Sequence, residues 1–205
     1  MRRLVLADPD NVDLTNLQRQ ILYRTESVGQ RKVDAARASL AALNPEVEVR
    51  ALPRKLVEND LNELVGGCDV VLDCSDNFAT RHAVNRACVR HAKPLVSGAA
   101  IRFDGQLMVF DFRDRDSPCY ACLFPEEGES EEMRCAVMGV LAPLTGVIGA
   151  LQAMEAIKLV AQAGETASGR LLVFDALKAE WRSIKTRKDL ECRVCAMPTD
   201  TFAAR

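Results

Sequence analysis

The sequence predicts an α/β fold: a Rossmann-like, mostly parallel sheet with flanking helices, extended by antiparallel strands. Three observations predict it. Short apolar runs alternate with helix-like segments through the first half of the chain. Hairpin-like runs follow in the second half. Two Cys-x-x-Cys pairs stand far apart, one in mid-chain and one near the carboxyl end.

Taken in order, residues 3–7 read as a short buried strand that ends in Asp8. Residues 10–23 are polar and irregular, with a short helix expected near 14–22. Residues 32–43 are Ala-rich and amphipathic, and Asn44-Pro45 stops that helix. Residues 47–52 alternate as a strand, and 58–65 form a short helix closed by Gly66-Gly67. The run DVVLD, 69–73, is a buried strand with charged ends. A helix over 78–91, a buried strand over 94–97 and a hairpin strand over 105–112 follow. Residues 113–134 form a charged loop whose end, 126–134, holds five Glu and one Arg. A long helix spans 144–163, and strands at 171–176 and 181–186 close the chain. No internal repeat or low-complexity tract interrupts this order, so 1–205 reads as one domain.

Composition narrows the function classes. The chain has 205 residues, 48% apolar and 27% charged, which suits a soluble globular protein with a sizeable core. A net charge of −2 supplies no basic field for nucleic acid or an anionic membrane. The apolar run before Asp8 is too short for a signal peptide. The most apolar stretch, 137–163, is broken by Gln152, Glu155 and Lys158, which favours a buried helix over a membrane span. The cytoplasm is the expected compartment.

Eight cysteines are many for this length, and in a reducing compartment they point to metal or catalysis before disulfides. Cys119 with Cys122, and Cys192 with Cys195, form two CxxC knuckles. Each spacing turns two thiolates toward one point, and two such turns supply the four sulfurs of tetrahedral zinc. Four protein ligands leave no position for water, so the zinc would be structural and would tie the tail to the mid-chain loop. The competing reading is four unrelated thiols.

An acidic residue at the carboxyl end of a buried strand is where a dinucleotide-type fold holds a ribose, and Asp8 stands there. A turn or cap residue fits the same pattern. Asn16, Arg19 and Gln20 follow in the polar segment, and Lys32 opens the next helix. Arg and Lys neutralise phosphate charge, although both also read as solvated surface residues. Asp76 lies just past the DVVLD strand, at the sheet edge where ligands gather and where a carboxylate can hold magnesium. Its competing role is the N-cap of the following helix. A nicotinamide-dependent oxidoreductase would rest on Asp8 alone.

Several longer strings occur in one order: Asp13-Leu14-Thr15-Asn16-Leu17-Gln18-Arg19-Gln20, then Val28-Gly29-Gln30-Arg31-Lys32-Val33, then Leu72-Asp73-Cys74-Ser75-Asp76-Asn77. Val96-Ser97-Gly98-Ala99-Ala100, Gly146-Val147-Ile148-Gly149 and Gln152-Ala153-Met154-Glu155-Ala156-Ile157-Lys158 continue them. With the two knuckles, these motifs resemble the MoeB/ThiF/HesA family, bacterial relatives of the ubiquitin-activating enzymes. The resemblance runs from about Leu4 to Cys195 and is closest to its MoeB branch.

The resemblance implies ATP, magnesium and zinc as cofactors. It implies an adenylyltransferase that activates the Gly-Gly carboxyl terminus of a ubiquitin-like sulfur-carrier protein for molybdopterin or thiamin sulfur transfer. A sulfur donor protein and a homodimer are the further partners it implies, with neither nucleic acid nor membrane. In that frame Asp8 holds the ribose, Asn16, Arg19 and Lys32 contact the phosphates, and Asp76 binds magnesium. The Glu-rich loop corresponds to the loop under which the carrier tail threads. Cys135, at its end, aligns with a cysteine proposed to link to the carrier, and a plain packed or exposed thiol is the alternative.

Family members begin several dozen residues earlier, with an Arg-bearing helix, the first strand and a GxGGxG phosphate loop. That strand belongs between the strands at 4–7 and 69–73, and its amides cradle phosphate. The domain is therefore expected to be incomplete at its N-terminus. A late start, a fragment, or a degenerate paralogue whose flanking strands pair directly would each account for it. In the last two cases the chain would bind ATP poorly or not at all, and the reading that competes with the enzyme is a carrier-binding, dimerising module that has lost catalysis.

Overall fold

The computed structural model describes residues 1–126 and 139–196. They fall into two compact units, Met1–Val57 and Glu58–Arg205.

In the first unit β1 (Arg3–Ala7) pairs in parallel with β2 (Glu48–Leu52), from Arg3 opposite Glu48 to Ala7 opposite Leu52. The crossover between them contains α1 (Lys32–Leu43), whose Val33, Ala35 and Ala36 are buried. Small residues on that face let the helix lie close to the strands. Asn44, extended at φ −148°, ends the helix ahead of Pro45. The irregular segment 8–31 yields a short 3-10 turn, Leu14–Asn16, in place of the expected longer helix, and another at Thr25–Ser27. Asp13 caps the first turn, accepting from the Thr15 amide at 2.8 Å. An antiparallel bridge between Asn11 and Arg31 folds the segment back on itself and buries Val12.

The second unit opens with α2 (Glu58–Gly66), β3 (Val71–Asp73) and α3 (Phe78–Arg90). Next come β4 (Leu95–Ile101), β5 (Asp104–Phe110) and a one-turn helix α4 (Tyr120–Leu123). The chain continues through α5 (Ala142–Ala161), β6 (Arg170–Asp175) and β7 (Glu180–Lys185). The sheet order is β3-β4-β5-β6-β7. β3 and β4 are parallel, and every later neighbour is antiparallel, as the hairpin-like runs predict.

α5 packs on β4 and β5, and the core there comprises Val96, Leu107, Val109, Ala156, Leu159 and Ala167. The helix approaches β5 so closely that a Cβ on Gly105 would stand 2.6 Å from Ile148. By length and apolar composition α5 is able to cross a membrane. Its inner face nevertheless buries Gln152 and Glu155, both hydrogen-bonded to backbone of the same unit.

Among the described residues β1 and β3 belong to different sheets, one in each unit. Among the described residues, β1 has only β2 as its ladder partner and β3 only β4.

Candidate functional site

The tip of β1 gathers charge. Lys32 is buried, and its ammonium lies 2.8 Å from Asp10 Oδ2 and 3.9 Å from Asp8 Oδ2. The backbone fixes this contact twice. The Lys32 amide donates to the Asp10 carbonyl at 2.9 Å, and the Asp10 amide donates to Asp8 Oδ1 at 2.8 Å. Lys32 is therefore a held cation rather than a solvated one. Asp8 also plays the turn role open to it, while one of its oxygens faces the lysine. Burial and the charge of Asp8 push the nearby Tyr23 hydroxyl up. Asn16 accepts from the Asp13 amide at 3.1 Å, completing the cap of the 3-10 turn. Arg19 is tethered only by a 3.5 Å bond to the Thr15 carbonyl and forms no ion pair among the described residues.

The tip of β3 is a buried polar network. Asp73 accepts from Ser75 Oγ at 2.6 Å, from the Ser75 amide at 3.0 Å and from Ser97 Oγ at 3.0 Å. Arg81 of α3 lies 3.6 Å from Asp73 and donates to Ser97 Oγ and to the carbonyls of Gly98 and Ser75. Gln152 of α5 donates to the Asp73 carbonyl at 2.8 Å and the Val96 carbonyl at 3.2 Å. There is room for it only because residue 98 is glycine: a Cβ there would lie 2.4 Å from the Gln152 side chain. These bonds fix the loop that carries Asp76. Asp76 itself is exposed and faces no cation among the described residues. It is not the helix cap: Asn77 caps α3, accepting from the Thr80 amide at 2.9 Å, and Asn77 Nδ2 donates to Asp76 at 3.4 Å.

The four knuckle cysteines come together. Their sulfurs all lie within 4.8 Å of one another, with Cys119–Cys192 at 3.7 Å, Cys122–Cys195 at 3.4 Å and Cys119–Cys122 at 3.8 Å. Sulfurs bound at about 2.3 Å to one tetrahedral ion sit about 3.8 Å apart, so this donor set fits zinc. The Cys119 amide donates to Cys122 Sγ at 3.4 Å. Cys119 and Cys192 are buried, with Ala121 and Val194 packed beside them. The hydrogen bond between Cys119 and Cys122 pushes the first thiol up and the second down.

A family model described as the ThiF family matches residues 1–194. The chain belongs to the ThiF family. It is 44% identical over 193 residues to the molybdopterin-synthase adenylyltransferase of Salmonella typhimurium, covering 94% of this chain and 77% of the relative. It is 45% identical over 192 residues to the sulfur carrier protein ThiS adenylyltransferase of Escherichia coli, covering 94% and 75%. It spans less than half, 43%, of the adenylyltransferase and sulfurtransferase MOCS3 of Drosophila virilis.

Among solved structures it superposes on E. coli MccB crystallised with ATP, with TM-score 0.79 and 22% identity. That match covers 94% of this chain and 58% of MccB, and it shows a shared fold.

Of the residues named from sequence, the ThiF-family chain brings Asp8 and Lys32 together in its first unit and the four cysteines together in its second. Asp76 stands in the second unit on the braced loop. Cys135, and the Glu-rich loop beyond Glu126, lie outside the described residues. Two cavities of about 330 and 340 Å³ in the second unit are lined by Lys93, Arg113, Lys158 and their neighbours, and by none of the named residues. Asp10, Arg81 and Gln152 were not legible as site residues. Asp10 offered one signal, a second carboxylate two positions after Asp8.

Proposed function

We propose that the chain adenylates the carboxyl-terminal glycine of a ubiquitin-like sulfur-carrier protein. The carrier carboxylate attacks the α-phosphorus of ATP, the bond to the β-phosphate breaks, and pyrophosphate leaves. Sulfide-level sulfur from a donor protein then displaces AMP at the acyl carbon to give a thiocarboxylate. The observation that carries this reading is the match itself. It spans 1–194, includes the β1 tip and Asp76, and reaches relatives named as adenylyltransferases at 44–45% identity. For that reason the enzyme is favoured over a binding module that has lost catalysis.

Two anions must meet in this reaction, so the site must supply positive charge without collapsing onto its own acids. Lys32, held by Asp10, and the loosely tethered Arg19 meet the phosphates with Asn16. Asp8 accepts from the ribose hydroxyls. Asp76, exposed and facing no cation among the described residues, is the carboxylate that would hold magnesium. Cys119, Cys122, Cys192 and Cys195 hold a structural zinc. Residues 1–205 act as one ThiF-type domain in the cytoplasm.

The outer face of α5 exposes Val147, Met154, Ile157 and Val160, and a Cβ added at Gly146 or Gly149 of the same helix would meet nothing within 4 Å. We assign that face to a symmetric homodimer.

The deciding experiment follows exchange of labelled pyrophosphate into ATP. Exchange that needs both magnesium and a carrier ending in Gly-Gly is the expected result. Running it with a molybdopterin-type and a thiamin-type carrier separates the two pathways. No exchange with either carrier overturns the proposal.

A further inference from the structure

Asn85 lies on α3 and is wholly buried, at 0% exposure. Its side-chain oxygen accepts from the backbone amide of Tyr120, the residue after Cys119, at 2.9 Å. A backbone N–H can only donate, so this bond fixes which end of the side-chain amide is oxygen. The other end, Nδ2, is buried and makes no hydrogen bond of full geometry, although the Cys119 thiol lies near enough to feel the Asn85 side chain. An unmade buried N–H bond costs about 1–3 kcal/mol, and native interiors rarely tolerate one. The knuckle itself packs against apolar Val89 and Phe112, and the Cys119 amide already points at Cys122. A wholly buried donor left with only a thiol, a weak acceptor, is therefore the anomaly to explain.

A tetrathiolate zinc centre carries about two net negative charges, and its sulfurs accept N–H hydrogen bonds far better than thiols do. Metal loading would turn the weak acceptor beside Asn85 into a strong one. We propose that Asn85 is an outer-sphere positioning residue of the metal centre, with Nδ2 donating to the metal-bound sulfur of Cys119 while its oxygen holds the knuckle backbone at Tyr120. This rests on the reading of the four cysteines as a metal site. It adds α3, the helix that also carries Arg81, to the elements that hold the ion.

The test compares Asn85→Asp with the parent chain. The variant keeps an acceptor for the Tyr120 amide and replaces the donor with a second oxygen. Zinc affinity is measured by chelator competition, and cobalt is substituted as a spectroscopic probe. The expected result is zinc binding weakened by about 10–100-fold, with a shifted cobalt–thiolate charge-transfer band. Unchanged affinity together with an unchanged band overturns the proposal and leaves the metal site standing. A parent chain that binds neither ion overturns both.

A second measurement needs no variant. In the chain loaded with NMR-active cadmium, the Asn85 side-chain protons should show scalar coupling to the metal through the N–H···S bond. Its absence counts against the proposal even if Asn85→Asp fails to fold.

Discussion

Arg81 and Asp73 form a charge pair with 8% and 3% of their side chains exposed. A buried pair of this kind adds little net stability, yet removing one partner strands the other. Arg81→Met should therefore cost about 3–5 kcal/mol, read as a lower denaturant midpoint. Adding Asp73→Asn should recover part of the loss, because no uncompensated carboxylate remains. A loss no larger than that of an exposed arginine would contradict this. At the β1 tip, Lys32→Ala removes one charge-assisted contact and should raise the KM for ATP about 10–100-fold. Asp10→Asn should raise it less, since the ammonium remains but is no longer held. Equal KM values for all three chains would exclude Lys32 from the phosphate site.

The same residues show where sequence reading stops. The knuckles were legible because CxxC spacing is local. The tip of β3 was not, because Gln152 meets its carbonyl partners across separations of 79 and 56 residues. In sequence Gln152 interrupts an apolar stretch, and only the packing of α5 on β4 shows what it bonds. Arg81 likewise reads as an ordinary helix charge until α3 folds back on β3 and β4.

At the scale of elements, most bounds were visible as apolar runs and stop signals, and the shifts have local causes. β4 extends to Ile101, well past the expected 97, because β5 pairs with it residue for residue as far as Asp104. Periodicity cannot reveal that length, since Gly98, Ala99 and Ala100 carry little pattern. The expected helix at 14–22 shrinks to one 3-10 turn because Asp13 and Asn16 cap each other and close it off. α5 was legible as a helix, but its two apolar faces were not told apart. Its inner face covers the sheet, and its outer face leaves Ile157 at 67% exposure. Ile157→Asp should weaken self-association by at least about tenfold, measured by sedimentation, with the thermal midpoint of the monomer unchanged. A parent chain that sediments as a monomer at every concentration would remove the proposed dimer.

For the whole molecule, the open question is what binds the carboxyl-terminal segment to the sheet. Among the described residues beyond β7, the chain is anchored by the cysteine corner and by Lys188 donating to the Arg115 carbonyl at 2.6 Å. Removing the metal should loosen this segment first. With zinc at a thousand times its Kd, occupancy contributes about 4 kcal/mol, so chelation should lower the melting midpoint by about 8–16 °C. Hydrogen exchange should quicken earliest around 187–196. An unchanged midpoint would mean that packing alone secures the tail. The α/β class and the four-cysteine corner were readable from sequence, since both rest on repeated local patterns. The separation of β1 from β3 was anticipated too, since the strand expected between them is missing, but sequence left their direct pairing open because pairing partners are settled only by which edges meet.

Cys119 and Cys192 stand 73 positions apart and face each other across 3.7 Å. With an ion bridging them, everything between becomes a closed ring that includes α5, β6 and β7. A single protease cut in the exposed turn at Gly164 would then leave two pieces joined by the clasp as well as by the β5–β6 ladder, and a chelator should lower the denaturant needed to part them.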